Sequence, residues 1–195
     1  EMRFVIKAPP LTISAYRADG GLVQEFVLDE GTNGTVSFHT DAPVFGLGEG
    51  QKQFDRRGHF YPMINGQRNP MLEEHGATIP VPFLIGADGW SFFVRAPWGQ
   101  FDLRGKQGLF LPDRRQLGCE PLTIYLSELN QPTDALTEYI RLTGHAVMPP
   151  KWTMGYMQSC RTIQGPDDPE RIAQRFLDDQ LPVDAFIFLG TGYCP

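Results

Sequence analysis

Apolar and polar residues alternate with a period of two through most of the first two thirds of the chain. In residues 11–16, Leu, Ile and Ala fall on one face of an extended segment, and Thr, Ser and Tyr fall on the other. This alternation predicts a half-buried antiparallel strand. Similar short segments recur between turns rich in Gly, Pro and Asn, which is typical of a β-sandwich. The further predicted strands are 3–7, 22–28, 35–39, 79–86, 90–94, 100–103, 109–111 and 122–126.

The first helical pattern follows these strands and covers residues 133–143. Thr133 is the predicted N-cap, and Gly144 stands where a helix commonly ends. The apolar residues expected on the buried face are Ala135, Leu136, Tyr139 and Ile140. The spacing therefore predicts an amphipathic helix at the end of the β region.

The last fifty residues follow a different pattern, strand, helix and strand. Residues 152–158 and 185–189 are the predicted strands, and the second is continuously apolar, as in a parallel strand covered on both faces. Between them, Asp168 is the predicted N-cap and Pro169 the first helical residue. This β-α-β unit fits the start of a (β/α)8 barrel or of a doubly wound sheet, and the pattern alone does not choose between them.

Pro149 and Pro150 divide the two patterns, because proline lacks an N–H and restricts the residue before it. We therefore expect two domains: an antiparallel β-sandwich over residues 1–147, and the β-α-β unit over residues 148–195. The fold class is mostly β.

Composition excludes several classes of function. The chain has 195 residues, 41% of them hydrophobic, and a net charge of -6, so it can form a core and carries no basic face for nucleic acid. No apolar run approaches the ~20 residues of a membrane span. The three cysteines are far apart, and the four histidines show no ligand spacing. We expect no metal and no cofactor.

The segment from Met148 to Arg161 resembles a known family. A helix ending in Leu-Thr-Gly, then Met-Pro-Pro-x-Trp-x-x-Gly-Tyr, then Pro182-Val183-Asp184 is similar to glycoside hydrolase family 31, the α-glucosidase and α-xylosidase group. The resemblance implies a galactose-mutarotase-like N-terminal β-sandwich joined to a (β/α)8 catalytic barrel. It therefore selects the barrel for residues 148–195.

The resemblance also implies an activity, the hydrolysis of α-linked gluco-oligosaccharides with retention of configuration. Retaining glycosidases use two carboxyl groups ~5–5.5 Å apart, which in this family follow later barrel strands. We expect both to lie beyond residue 195, so that this chain has no catalytic residue and is inactive without the rest of its barrel. Its expected partners are that barrel and an oligosaccharide or α-glucoside substrate, with no nucleic acid and no membrane.

Two residues are candidate sugar contacts by the resemblance. Gly-x-Gly-Glu at residues 46–49 marks where a loop leaves the sandwich toward the active site, and Asp55 lies in the aperiodic segment 51–71 that follows it. Thr191 stands where the family commonly has a sugar-binding Asp. A hydroxyl can still bond a sugar hydroxyl, without charge and with a shorter reach.

A second hypothesis is a non-catalytic carbohydrate-binding or structural β-sandwich. The Phe and Trp residues of the β region would then be either a sugar platform or the sandwich core, and their place in alternating strands favours the core. The β-α-β unit separates the hypotheses, because a free-standing binding module gains nothing from a buried parallel strand.

Overall fold

A computed structural model describes residues 2–29, 31, 34–50, 53–67, 77–96, 98–118, 120–160 and 163–188. The chain forms two compact units, Glu1–Gly144 and His145–Pro195. No helix among the described residues combines the length and apolar character needed to cross a membrane.

The first unit contains a seven-stranded antiparallel sheet. Its strands in spatial order are β1 (Arg3–Lys7), β2 (Leu11–Tyr16), β3 (Leu22–Asp29), β4 (Thr35–His39), β12 (Gln107–Pro112), β11 (Gly99–Asp102) and β6 (Phe60–Pro62). A four-stranded antiparallel sheet has the order β13 (Ile124–Glu128), β10 (Trp90–Val94), β9 (Phe83–Gly86) and β5 (Val44–Gly46). A two-stranded pair joins β7 (Gly66–Gln67) to β8 (Ala77–Thr78).

Aromatic side chains join the two large sheets into one core. Phe38 of β4 meets Phe92 of β10 edge to face with ring centroids 4.9 Å apart, and Phe26 of β3 meets Phe92 at 5.4 Å. Trp90 stacks on Phe92 at 5.4 Å and is almost completely buried. The sheets therefore pack face to face, and the predicted mostly β, antiparallel fold is confirmed.

Four strand predictions are confirmed with their bounds, whereas the predicted strand 122–126 lies at Ile124–Glu128. Residues 3–7, 11–16, 35–39 and 90–94 form strands with the predicted bounds, and β9 pairs with β10 as a hairpin. The predicted strand 79–86 is wrong in its first half, where Ile79 makes one isolated bridge to Glu49. Pro80 and Pro82 lack the N–H that a continuous ladder needs.

Two short helical segments flank β13. Helix α1 covers Arg114–Leu117, and helix α2 covers Pro132–Thr143. The bounds of α2 agree with the prediction to one residue, but Thr133 is not its N-cap, because the helix begins at Pro132 after Gln131. Proline suits this first position, where its missing N–H leaves no hydrogen bond unmade.

Hydrogen bonds close both ends of α2. The Asp134 carboxylate accepts the backbone N–H of Asn130 and of Gln131, each at 3.0 Å, and these bonds lower its pKa. Gly144 adopts φ +86° and donates its N–H to Ile140 O at 2.7 Å. Tyr139 packs on Phe83, whereas the prediction that Leu136 is buried is wrong, since 58% of it is exposed.

The second unit contains a 3₁₀ helix (Lys151–Met154), β14 (Met157–Cys160), helix α3 (Asp167–Asp178) and β15 (Ala185–Phe188). β14 and β15 pair in parallel, so the predicted strand, helix and strand are present. The predicted strand 152–158 is wrong before Met157. There, Thr153 donates both its N–H and its hydroxyl to Pro150 O, which closes a helical turn instead.

Helix α3 covers the strand pair through one aromatic residue. Phe176 contacts Tyr156 and Phe186, with ring centroids 6.0 and 5.5 Å apart. The predicted N-cap Asp168 is wrong by position, because the helix begins at Asp167, two residues before the predicted Pro169. The Asp168 carboxylate instead accepts Gln164 N–H at 2.8 Å and pairs with Arg171. Leu177, the apolar residue that follows Phe176, is 69% exposed.

The Gly155→Ala substitution is expected to destabilise this unit by about 1 kcal/mol, because the obstructing group is the exposed side chain of Asp184, which can move. A Cβ on Gly155 would lie 1.9 Å from Asp184 Oδ2, and Asp184 N–H donates to Tyr156 O at 2.9 Å. The carboxylate therefore occupies the space of the missing side chain. Hydrogen exchange of residues 151–188, followed by mass spectrometry, should show faster exchange in the variant.

A second substitution distinguishes this contact from general backbone strain. Asp184→Ala removes the obstructing carboxylate, so the double variant should be less destabilised than the sum of the two single variants. Strictly additive effects would show that Gly155 is required for another reason.

Candidate functional site

The two predicted sugar contacts have different outcomes. Asp55 lies between β5 and β6, in the first unit. Thr191 lies outside the described residues, as does Arg161, so the structure gives no geometry for either. The structure therefore shows the geometry of Asp55 and of the glycine-rich segment that precedes it.

The glycine-rich segment forms the sharp turn that its composition predicts. Gly46, Leu47 and Gly48 have consecutive positive φ angles of 106°, 64° and 81°. Leu47 donates its N–H to Phe83 O at 2.9 Å, and Glu49 N–H bonds to Ile79 O at 3.0 Å. Glycine is needed where the backbone is both left-handed and closely approached by another strand. The segment therefore leaves β5 while remaining tied to the sheet.

Asp55 and its neighbouring arginines fasten the loop 53–58 to β5. Asp55 Oδ1 accepts Val44 N–H at 3.1 Å, and both carboxylate oxygens bond the guanidinium of Arg57. Arg56 donates its backbone N–H to Val44 O at 2.7 Å and its Nε–H to Gly46 O at 2.8 Å. We call this set of bonds the Asp55 clamp. It holds the loop against the start of the glycine-rich turn.

The clamp sets the protonation of Asp55. The hydrogen bonds from the Arg57 guanidinium lower the pKa of the carboxyl group from 3.8 to about 2, against the opposing effect of partial burial, and the N–H groups of Val44 and Arg57 lower it further. The carboxylate is therefore ionised and fully engaged at neutral pH.

Asp55→Asn is expected to destabilise the protein by about 1 kcal/mol near pH 7, a modest value because 36% of the side chain is exposed and solvent screens the pair. Since the pKa is lower in the folded state, the ionic contribution is complete above about pH 5 and is lost as the pH falls toward 2. Urea denaturation at several pH values should show the two proteins converging. If the unfolding free energies of the wild type and Asp55→Asn differed by the same amount down to pH 2, the substitution would act through packing and not through the lost charge.

The segment 51–71, which the sequence suggested was one irregular loop, is partly strand. Phe60–Pro62 forms β6 at the edge of the large sheet, and Thr78 Oγ1 donates to Ile64 O at 3.0 Å beside the β7–β8 pair. The sequence pattern that would have predicted this strand is the spacing of Tyr61 and Met63, which are two residues apart and both buried, whereas Phe60 is exposed. Residues 51, 52 and 68–71 lie outside the described residues.

The aromatic residues of the β region form the core, as expected, with four exceptions among the described residues. Trp90, Phe92, Phe101 and Phe110 are buried between the sheets. The exposed ones are Phe4, Phe54, Phe60 and Trp98, and sequence reasoning missed Trp98. It lies in the turn before β11, outside any alternating strand, so the periodicity of the sequence could not predict its exposure.

The carboxyl groups with shifted pKa values suit structural roles. Arg57 lowers the pKa of Asp55, Arg104 that of Asp102 and Arg171 that of Asp168. A general acid in a glycosidase needs the opposite shift. Within the described ranges, no three His, Cys, Asp or Glu side chains are grouped to hold a metal ion.

No protein-family model matches this chain. Curated proteins do match it: α-glucosidase 2 from Bacillus thermoamyloliquefaciens is 39% identical over an alignment of 159 positions that covers 76% of this chain and 19% of that protein. An α-xylosidase from Saccharolobus solfataricus is 23% identical over an alignment of 172 positions that covers 84% of this chain and 21% of that protein. The chain thus spans about a fifth of the length of these relatives.

Solved structures share the fold. A GH31 dextranase of Flavobacterium johnsoniae complexed with glucose superposes with a TM-score of 0.75 at 21% identity, covering 95% of this chain and 24% of that one. The cycloalternan-forming enzyme from Listeria monocytogenes, in complex with a pentasaccharide substrate, gives 0.70 at 20% identity, covering 96% of this chain and 20% of that one.

Proposed function

We propose that this chain, a relative of the α-glucosidases and α-xylosidases of glycoside hydrolase family 31, is the N-terminal part of a retaining α-glycosidase. The sequence matches to an α-glucosidase and an α-xylosidase show this relationship, which the Met148–Arg161 motif had predicted. The observation that carries the proposal is the 39% identity to an α-glucosidase over 159 residues.

We propose that residues 148–195 begin the (β/α)8 barrel and that residues 1–147 form the sandwich domain before it. The parallel pairing of β14 with β15 around α3 supports this assignment. Ile187 and Phe188 of β15 are 41% and 38% exposed, although a central barrel strand is normally covered on both faces. The remaining strands and helices of the same barrel are the proposed cover.

The catalytic carboxyl groups are proposed to follow later barrel strands, beyond residue 195. Active-site residues of such barrels lie at the C-terminal ends of strands. One carboxylate would attack the anomeric carbon and form a glycosyl-enzyme, while the other protonates the leaving oxygen and then activates water. The described carboxylates Asp55, Asp102 and Asp168 are paired with arginines, which leaves them poorly suited to either role.

The proposed substrate is an α-linked gluco-oligosaccharide, with Thr191 and Asp55 as proposed sugar contacts. Among enzymes of the same fold, the dextranase is complexed with isomaltotriose and the cycloalternan-forming enzyme with a pentasaccharide substrate. Because the Asp55 carboxylate is bonded to Val44 and Arg57, we propose that its main contribution is to hold the loop that leaves the glycine-rich turn. Thr191 would donate one hydroxyl hydrogen bond.

The second hypothesis, a non-catalytic sandwich module, is less well supported. The curated relatives are enzymes, and their similarity extends over 76% or more of this chain for the two compared above. The match to the α-xylosidase covers 84% of this chain, which is more than the sandwich alone can supply.

Release of p-nitrophenol from p-nitrophenyl α-glucoside tests the proposal. The protein encoded by the full reading frame should hydrolyse this substrate, and residues 1–195 alone should not. Hydrolysis by the 195-residue chain would overturn the proposal. An inactive full-length protein should next be given the α-xyloside and the α-galactoside, and inactivity toward all three would also overturn it.

A further inference from the structure

Two adjoining hollows form a trough on the outer face of the large sheet, at its β6 edge. The first has a volume of about 360 Å³ and is lined by Phe60, Ile64 and Trp98 together with Gln100 and Asp113. The second, of about 400 Å³, shares Gln100 and Asp113 with the first. Binding sites for small ligands commonly have volumes of this order.

The register of the strands aligns the floor of the trough. Pro62 of β6 and Leu111 of β12 lie on either side of Gln100 in β11. Paired residues of neighbouring strands share a face of the sheet, so this row lies opposite the buried side chains of Tyr61 and Phe101. Among the described residues, the Gln100 side-chain amide has no hydrogen-bonding partner, and it faces the space that both hollows share.

One aromatic ring of the trough is held in place by an ion pair. Arg104 lies over the Phe60 ring, 5.3 Å from its centroid, and its guanidinium makes two bonds of 2.6 and 2.8 Å to Asp102. Asp102 is the residue directly opposite Phe60 in the sheet. The ring is therefore oriented before any ligand arrives, which reduces the entropy lost on binding.

The second ring belongs to Trp98, which is 48% exposed. Its backbone is fixed, because Trp98 O accepts Asp113 N–H at 3.2 Å and Gly99 O accepts Met63 N–H at 3.0 Å. These bonds place Trp98 beside the end of β6, about 13 Å along the strand from Phe60 at ~3.3 Å per residue. Two rings at that separation suit a chain of sugars better than a single sugar.

We propose that this trough is a binding site for α-linked gluco-oligosaccharides. Exposed rings pack on the apolar faces of sugars as they pack on other apolar surfaces. The amide of Gln100 can donate to and accept from hydroxyl groups, and the Asp113 carboxylate can accept from them while capping α1 through Arg115 N–H. The choice of ligand rests on the proposed function, whereas the trough itself does not.

Affinity electrophoresis of the full-length protein, in gels containing dextran or soluble starch, tests this site. The wild-type protein should be retarded in at least one of the two gels. Trp98→Ala should lower the affinity roughly tenfold, because it removes one stacking surface. Phe54→Ala is the matched control, since it removes an aromatic residue that is 80% exposed but lies outside the trough.

The outcomes separate the trough from the catalytic function. Loss of retardation in Trp98→Ala, with retention in Phe54→Ala and unchanged hydrolysis of p-nitrophenyl α-glucoside, would support the site. Absence of retardation in the wild type, equal retardation of both variants, or a tenfold loss of hydrolysis in Trp98→Ala would overturn it. If Trp98→Ala does not fold, Phe60→Ala decides in the same way.

Discussion

The Gly48→Ala variant is expected to lose about 3 kcal/mol or more of unfolding free energy. Gly48 has φ +81°, and an added Cβ would lie 2.1 Å from Ile79 O and 2.7 Å from Val81 N. Both obstructing atoms belong to the backbone, so no side chain can move aside. The substitution should break the bonds that tie the glycine-rich turn to the segment 79–83, and with them the attachment of the Asp55 clamp.

Gly58→Ala is the matched control for this prediction. Gly58 has nearly the same φ, +83°, but nothing lies within 4 Å of the Cβ position. The control should lose only about 1 kcal/mol, the cost of a left-handed alanine. Urea denaturation followed by circular dichroism measures both values. Equal losses would show that backbone strain alone, and not the close approach of the segment 79–83, makes Gly48 necessary.

Gln24→Leu is expected to cost about 3 kcal/mol, because it leaves buried backbone groups without partners. The Gln24 side chain is fully buried in β3. Its Nε2–H donates to His39 O at 3.1 Å, and its Oε1 accepts the N–H of His39 at 2.8 Å and of Glu25 at 3.0 Å. The amide therefore continues the pairing of β3 with β4 where the two backbones no longer meet.

Gln107→Leu provides the comparison. Gln107 lies opposite His39 on the other side, in β12, and its side chain is exposed. Removing this amide should change the unfolding free energy by no more than about 0.5 kcal/mol. A similar loss in both variants, again measured by urea denaturation, would indicate that leucine disturbs the sheet irrespective of the buried hydrogen bonds.

The sequence predicted those parts of the fold that depend on local periodicity. The strand 35–39 buries every second residue, and this alternation is visible without knowledge of its neighbours. The strands 11–16 and 90–94 also form where predicted, although each buries adjacent residues. Helix α2 was found for a similar reason, since its apolar residues recur at helical spacing before Gly144. The parallel pairing of β14 with β15 followed from the order of the elements.

The errors occur where a contact distant in sequence decides the local structure. Gln24 gives no local sign of its role, because His39 is fifteen residues away. Gly155 belongs to the Met148–Arg161 motif, and nothing in that motif shows that the Asp184 carboxylate occupies the place of its missing side chain. The turn at residues 151–154 is an error of a different kind, because it is set by local hydrogen bonds from Thr153 to Pro150 O, whereas its apolar residues suggested a strand.

The candidate site was predicted least well, for a chemical reason. A carboxylate in a polar loop, such as Asp55, has the same sequence signature whether it binds a sugar or a neighbouring arginine. Only the structure shows its bonds to Arg57 and Val44. Trp98 was missed because it precedes β11 and belongs to no alternating face.

Identification of the catalytic nucleophile tests the central proposal most directly. A 5-fluoro-α-glucosyl fluoride, incubated with the full-length protein, should trap the covalent glycosyl-enzyme of a retaining mechanism. Peptide mapping by mass spectrometry then locates the modified residue. We predict a modified aspartate beyond residue 195. A modified carboxylate within residues 1–195, or hydrolysis of the α-glucoside without any labelled peptide, would contradict the proposal.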